Sequence, residues 1–316
     1  MGGNGESQSG DLRAHEWQIA ADYRYFHADD FFFGSRQATP PAQYFGQPLI
    51  IDVHSVNLNV TYALTDRFNL RLTVPLSHGS QSRFYADTVR HVVSAGGLGD
   101  VGLVGTYWLF DSHKHHVGNA AVGVGVKTAT GRNGIKRNFY FADGSTVLHP
   151  IDQSVELGDG GWGIILQGQA FRRVGTRAFA YFTGSYLLTP RNQTNVLRMP
   201  PSTIRYSVSD IYTGRLGVSY SIAPERGISA SLGGRIDGIP YHDLLGANDG
   251  FRRPGYVVFV DPGISFQRGR SVWMFSAPMR VAARLATQQL ATSSGGRIGA
   301  GDLAKVVVFF GYARRF

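Results

Sequence analysis

Apolar and polar residues alternate one by one through most of this chain, and that period of two constrains the fold more than any other feature. Residues 68–76 read Phe-Asn-Leu-Arg-Leu-Thr-Val-Pro-Leu, and 228–237 read Ile-Ser-Ala-Ser-Leu-Gly-Gly-Arg-Ile-Asp. In 120–127, Ala120, Val122, Val124 and Val126 share one face, while Ala121, Gly123, Gly125 and Lys127 share the other. Side chains of an extended strand point alternately to its two faces, so each stretch is a strand with one apolar and one polar or small face. No segment competes as an amphipathic helix of convincing length.

Twelve such segments run over about 16–27, 49–63, 68–79, 98–110, 118–129, 160–172, 177–189, 205–222, 227–238, 255–267, 271–284 and 304–316. They are longer than the five or six residues usual in soluble sheets. A tilted strand that crosses a bilayer needs about 9–11 residues inside it. Short links, such as Thr65-Asp66-Arg67 and Arg268-Gly269-Arg270, alternate with long ones over about 30–48, 80–97, 130–159, 190–204, 239–254 and 285–303. Short turns at one end and long loops at the other predict an all-β, transmembrane, antiparallel up-and-down barrel of about twelve strands in the bacterial outer membrane. Both termini then fall on the short-turn, periplasmic side. The whole chain, 1–316, reads as one barrel domain, with 1–14 a flexible leading segment.

Composition agrees. Only 17% of the 316 residues are charged, against about 25% in ordinary globular domains. No run approaches 18 consecutive apolar residues, which excludes a membrane-spanning helix. The net charge of +9 invites nucleic acid, but the basic residues are scattered as singles and pairs, without the clustered footprint that partner requires. All but four of the basic residues (Lys114, Lys127, Lys136, Lys305) are arginine. Absence of cysteine removes disulfides and thiol chemistry. Met1-Gly2-Gly3-Asn4 has no apolar stretch behind it, as expected of a mature chain whose signal was replaced by a start methionine.

At the carboxyl end Val306, Val308, Phe310, Tyr312 and Phe316 share a face. This pattern is similar to the signal by which outer-membrane proteins are recognised by the barrel-insertion machinery, although Arg314 stands where an apolar residue is common. Aromatics near the short turns (Tyr62, Phe68, Trp108, Phe110, Phe179, Tyr220, Phe266, Trp273) and near the long loops (Tyr25, Phe26, Tyr85, Tyr206, Tyr256) predict two girdles at the membrane interfaces. Outer-membrane lipid and lipopolysaccharide are therefore expected partners.

The polar face should look into the lumen. Parity places Asp22, Arg24, Arg71, Asp100, Lys127, Arg215, Arg235, Asp237 and Asp261 there as pore-lining residues, with Gln18, Asn57, Asn59, Gln167 and Gln169. Twelve strands lie between filled eight-stranded barrels and wide porins, so a narrow or plugged passage is expected. The charges admit two readings: a salt-bridge lattice that closes the barrel, or an acidic and a basic rail along a solute path. Three motifs invite other chemistry. Gly97-Leu-Gly99-Asp-Val-Gly102 matches a dinucleotide fingerprint but leads into another strand rather than a helix. His113, His115 and His116 share one turn without a metal-ligand set beyond Asp111. His78 and Ser80 form no triad with a visible orienting residue. No catalytic residue, metal or cofactor is assigned.

Gly97-Leu-Gly-Asp100, Val122-Gly-Val-Gly-Val-Lys-Thr-Ala-Thr-Gly131 and Leu157-Gly-Asp-Gly160 together resemble the bacterial outer-membrane transporter-like family of the meta-pathway of phenol degradation. Ala129 stands where that family has proline. The resemblance covers about 95–185 and implies a small barrel admitting hydrophobic or aromatic compounds, with no catalytic residues and no known role for Asp100. The expected function is thus passive uptake or export of small solutes. An arginine-lined porin for anions or acidic sugars, a barrel hydrolase and a structural or adhesive barrel are the alternatives. Glycines at 99, 102, 105, 123 and 125 leave room in strands 4 and 5, and the loop 130–159, with Phe139-Tyr-Phe141, is expected to fold inward and constrict the pore.

Overall fold

A strand with an apolar outer face cannot leave its edge amides and carbonyls in hydrocarbon, where each unsatisfied group costs several kcal/mol, so a sheet of such strands has to close on itself. The computed structural model, which describes residues 12–41, 45–111, 114–246, 250–286 and 299–316, meets that requirement with a closed antiparallel barrel of twelve strands. They are β1 (Trp17–Phe33), β2 (Ile50–Ala63), β3 (Phe68–Phe84), β4 in two halves (Arg90–Leu98 and Gly102–Trp108), β5 (Gly118–Lys127), β6 (Gly163–Arg173), β7 (Ala178–Leu188), β8 (Ile211–Ala223), β9 (Ile228–Ile239), β10 (Gly255–Arg268), β11 in two halves (Ser271–Ser276 and Met279–Leu285) and β12 (Ala300–Arg315). Each strand pairs with its sequence neighbour, and β12 returns to β1 in a register running from Gln18↔Arg315 to Phe33↔Ala300. The seam is sealed at the short-turn end, where the Phe316 amide donates to the Trp17 carbonyl at 2.8 Å.

Several strands are taller than the alternation indicates. β1 runs to Phe33 rather than ending near 27, and most of the expected loop 80–97 is a hairpin of β3 and β4 around a turn at 85–89. Polar residues fall on both faces there, because strands that rise above the hydrocarbon need no apolar side. At roughly 3.3 Å per residue, the 17 residues of β3 exceed a core about 30 Å thick even when tilted. Residues 205–207, expected to open β8, pair instead with Gln193–Leu197 in a separate loop hairpin. β4 is interrupted at Gly99-Asp100-Val101, and β11 at Ala277-Pro278, where proline has no amide for the ladder. Of the segment 1–14, residues 1–11 lie outside the described residues. Beyond them, the Ala14 amide donates to Asp66 at 2.9 Å and Leu12 is buried.

The inside-outside assignment holds along the strands. Leu58, Leu72, Val124, Leu216 and Phe310 are exposed on the outer wall, while Gln18, Asn59, Thr61, Asn69 and Thr106 are buried in the lumen. The girdles need correction. Trp17, Tyr62, Tyr107, Phe110, Tyr220 and Phe266 stand outward near the short turns, but Trp108 faces inward, only 3% exposed, with its ring 6.2 Å from Phe171. Phe26 packs against the inner core, and Tyr85 and Tyr206 are buried beneath loops. Trp108 and Tyr107 differ by one position, and a one-residue error in reading the pleat reverses the face.

A charge on the outer wall should cost according to its depth. Val124→Arg, in the middle of β5 and 61% exposed, is expected to lower stability by about 2–4 kcal/mol, whereas Val117→Arg at the turn should cost about 0–1 kcal/mol. Urea titrations of refolding into vesicles measure both. Equal losses would contradict the assigned depths.

Candidate functional site: the lumen and its inward-folded loop

The upper lumen is filled by the chain itself. Residues 151–157 of the long loop between β5 and β6 descend into the barrel, where Ile151, Val155 and Leu157 pack against Ile51, Val53, Val93, Phe259, Val307 and Phe309 on the inner wall. Burying a side chain such as Leu157 is worth about 1.5–3 kcal/mol, so this apolar cluster holds the loop down. Its walls also accommodate it closely: a Cβ on Gly79 of β3 would lie 3.2 Å from the Val155 side chain. The inward fold was expected for 130–159, but Phe139-Tyr-Phe141 does not form the constriction. It lies in a hairpin of Lys136–Tyr140 and Thr146–Pro150, stacked on the tall β3–β4 hairpin through Tyr85, His91 and the Arg83 guanidinium.

A charged clamp fixes both ends of this loop. Lys127, the last residue of β5, donates to Asp100 at 2.9 Å, to Asp159 at 2.7 Å and to the Gly161 carbonyl at 2.7 Å. Asp100, set in the break of β4, also accepts from the Gly131 amide at 2.9 Å. Thr130 closes the rest of the break, accepting from the Val101 amide and donating to the Gly99 carbonyl, each at 2.9 Å. Glycine is required where the segments cross: a Cβ on Gly158 would lie 2.6 Å from the Asp100 carboxylate and 2.8 Å from the Gly131 carbonyl. The three separated motifs of the sequence, 97–100, 127–131 and 157–160, therefore meet at one point. Asp159 was not among the expected site residues, although the Leu-Gly-Asp-Gly run was the signal for it.

Below the loop lies a cavity of about 200 Å³ bordered by Arg71, Asp100, Lys127, Arg215 and Arg235, with Gln167, Thr183, Tyr212 and the apolar Ile165 and Leu187. The remaining four of the nine expected residues stand around it. Asp261 accepts from Arg215 Nε at 2.7 Å, Asp237 from Arg235 Nε at 2.9 Å and from the Thr213 hydroxyl at 2.6 Å, and Asp22 from the Asn59 amide at 2.8 Å. Arg24 lies over the Phe26 ring at 6.0 Å, and Arg71 donates to Gln167 at 3.0 Å. The pairs are local rather than sorted onto two rails: Lys127 with Asp100 of the next strand, Arg235 with Asp237 of its own strand and Arg215 with Asp261 two strands away. A buried charge is tolerated when it is paired and hydrogen bonded.

Loops close the extracellular end. Arg252 forms a fully buried pair with Asp243, and Asp210 accepts from the Thr189 and Leu244 amides and the Tyr186 hydroxyl. Asp152 is pushed up by burial but held down to about 2 by Arg253 and by hydrogen bonds from Ser154. Glu156, 2% exposed, goes the other way: burial pushes it up to about 7 against bonds from the Ile135 and Gly134 amides. Among the described residues no cluster of histidines and acids could hold a metal. His113 lies outside them, His115 and His116 are exposed, and His78 and Ser80 lie on the outer wall.

A closed barrel with an apolar outer wall, a hydrogen-bonded polar lumen and its short turns at one end is a transmembrane barrel of the outer-membrane type. No protein-family model and no curated protein matches the sequence. Among solved structures the chain is similar to the COG4313 outer membrane channel from Pseudomonas putida F1, with a TM-score of 0.61 and 17% identity over 98% of this chain and 100% of that one. It is also similar to the Ralstonia pickettii toluene transporter TbuX (TM-score 0.48, 8% identity, 97% and 91% of the two chains) and to a Pseudomonas aeruginosa FadL homologue (0.46, 10%, 97% and 91%). The first likeness establishes the fold over nearly the whole chain.

Lys127→Met would leave Asp100 and Asp159 facing each other without a cation, and breaking a buried pair costs about 3–5 kcal/mol. Amides of 128–162 should exchange hydrogen faster, by two orders of magnitude or more, with the strand amides of β8–β10 unchanged. Unchanged exchange in the loop would remove the clamp from the account. Glu156 titrates near 4.5 when unfolded and near 7 in the packed loop, so between those values the packed state holds a proton the unfolded chain lacks. The loop is tightest below pH 4.5 and loosens as pH rises to 7, while Asp152 stays ionised across that window. Exchange corrected for its intrinsic pH dependence should show this loosening in the native protein and not in Glu156→Gln.

Proposed function

We propose that the chain is a bacterial outer-membrane channel for passive movement of small hydrophobic or aromatic solutes. The observation that carries this reading is the division of the lumen. Its extracellular half holds an apolar cluster formed by the inner wall and 151–157, and in the cavity beneath Lys127, Arg215 and Arg235 are engaged with aspartates while Arg71 donates to Gln167. A conduit for ions needs charges available to the permeant, and here Lys127, Arg215 and Arg235 are each held by an aspartate. Passage then requires 151–157 to shift, which the packing permits because that segment is held by side chains rather than by strand pairing. The likeness to the Pseudomonas putida channel supports the same class through its fold. Lipid and lipopolysaccharide surround the outer wall in this reading, and β12, followed by the terminal Phe316, is the element the insertion machinery takes up. Arg314 does not spoil that strand, since its guanidinium turns over the Phe316 ring at 5.4 Å.

Vesicles with lipopolysaccharide in the outer leaflet, which apolar solutes cross slowly, provide the test. Entry of a fluorescent aromatic hydrocarbon should be several-fold faster with the protein than without, and faster again in the Val155→Ala, Leu157→Ala double variant. Equal rates with and without protein would end the hydrophobic reading. Preferential swelling with acidic sugars would favour the arginine-lined porin instead.

A further inference from the structure

The outer wall carries a second site, independent of the lumen. A groove of about 500 Å³ runs down the lipid-facing side of β5, β6, β7 and β8 toward the short turns. Much of this wall carries Leu, Val, Ile and Phe, whereas here the outward positions of the strands are mostly small residues. Ala120 of β5 pairs with Ala170 of β6, and Gly168, Gly184 and Gly214 form a row across β6, β7 and β8. The raised sides are Val117, Phe182 and Leu216, the last 64% exposed. The Phe182 ring leans over the glycine row, its edge 3.1 Å from where a Cβ of Gly184 would lie.

At the lower end of the groove stands Arg172. The outward residues of β6 run Ile164, Leu166, Gly168, Ala170, Arg172, so the same face that meets hydrocarbon ends on a guanidinium. Its neighbours in register are Gly118 and Ala180, which leave it in a notch with no large side chain on either side. Arg172 is exposed and makes no ion pair among the described residues. Arg177 is exposed in the turn that follows, while Arg173, on the opposite face of β6, lies over the Phe179 ring at 5.4 Å; no acid of the described residues lies between Arg172 and Ala178. A charge on the lipid face is costly at mid-bilayer and nearly free at the interface, so Arg172 sits at the level of the phosphates of the periplasmic leaflet.

We propose that this groove seats one acyl chain of an anionic phospholipid whose phosphate is held by Arg172. The apolar channel and the cation below it match the two ends of such a lipid in the order in which the leaflet presents them. The nearby Arg177 adds to the field that selects an anionic headgroup over a zwitterionic one. The proposal rests on the membrane-spanning fold and asks nothing of the solute in the lumen.

Native mass spectrometry of delipidated protein, offered phosphatidylglycerol or phosphatidylethanolamine, reads the site directly. Phosphatidylglycerol should be retained about fivefold better or more, and Arg172→Ser should remove about fivefold of its retention, the weight of one arginine at a charged lipid surface. Ala170→Met, which fills the groove while keeping an apolar outer face, should lower retention of the same lipid; if that variant does not fold, judged by its heat-dependent gel mobility, Ala180→Leu replaces it. Conductance should be unchanged in all of them, because none faces the lumen. Equal retention of the two lipids, or indifference to Arg172→Ser, overturns the site. Loss with Arg172→Ser but not with groove filling overturns the acyl seat and leaves a basic rim such as an acidic polymer would contact.

Discussion

Every part of this structure depends on one requirement: backbone amides and carbonyls within hydrocarbon must find partners inside the protein. Closure of β12 on β1 satisfies it for the strands, and it dictates what the interruptions can be. β4 breaks at Gly99-Asp100-Val101, which would expose carbonyls and amides to lipid or to the lumen. The Thr130 hydroxyl takes one of each, and the Thr128 amide takes the Val101 carbonyl at 2.8 Å. The loop that repairs the wall is thus brought to the inner surface at that point, and its continuation, 151–157, has the apolar residues to stay there.

The same break explains why the charges of the clamp are where they are. Lys127 and Asp100 have side chains only 10% exposed, and burial of either alone would be prohibitive. Together with Asp159 they leave a net negative centre, which the Gly131 amide helps to neutralise. Such a cluster contributes little to stability compared with an apolar replacement. What it contributes is register. Several apolar loops could fill the upper lumen, but only one alignment of 127–131 against 157–161 brings both carboxylates to the lysine.

Much of this was legible in the alternation of the chain. The strand number, the lumen face and the inward loop follow from period two, link lengths and glycine-rich strands, because each rests on local geometry that a single sequence carries. The errors fall where that geometry is silent. β1 and β3 run past their expected ends because above the membrane a strand needs no apolar face, so Asp29, Asp30, Ser80 and Ser82 read as loop. Trp108 reads as a girdle residue because its ring partner Phe171, two strands along the wall, lies far away in sequence. The wrong part of the long loop was expected in the pore, since Phe139-Tyr-Phe141 is the more conspicuously apolar run. Its rings instead complete a cage around Tyr85 and His91, leaving the plainer Ile151, Val155 and Leu157 to enter.

The distribution of charge then has a single logic. Inside, Lys127, Arg215 and Arg235 are each held by an aspartate, from the loop, from two strands away or from the same strand. At the periplasmic turns, Arg172, Arg177 and Arg226 make no ion pair among the described residues. The net +9 is therefore not a property of the passage. In the proposal made above, that surplus at the rim faces anionic headgroups. A barrel meant for charged solutes would need the opposite arrangement, with its unmatched cations inside.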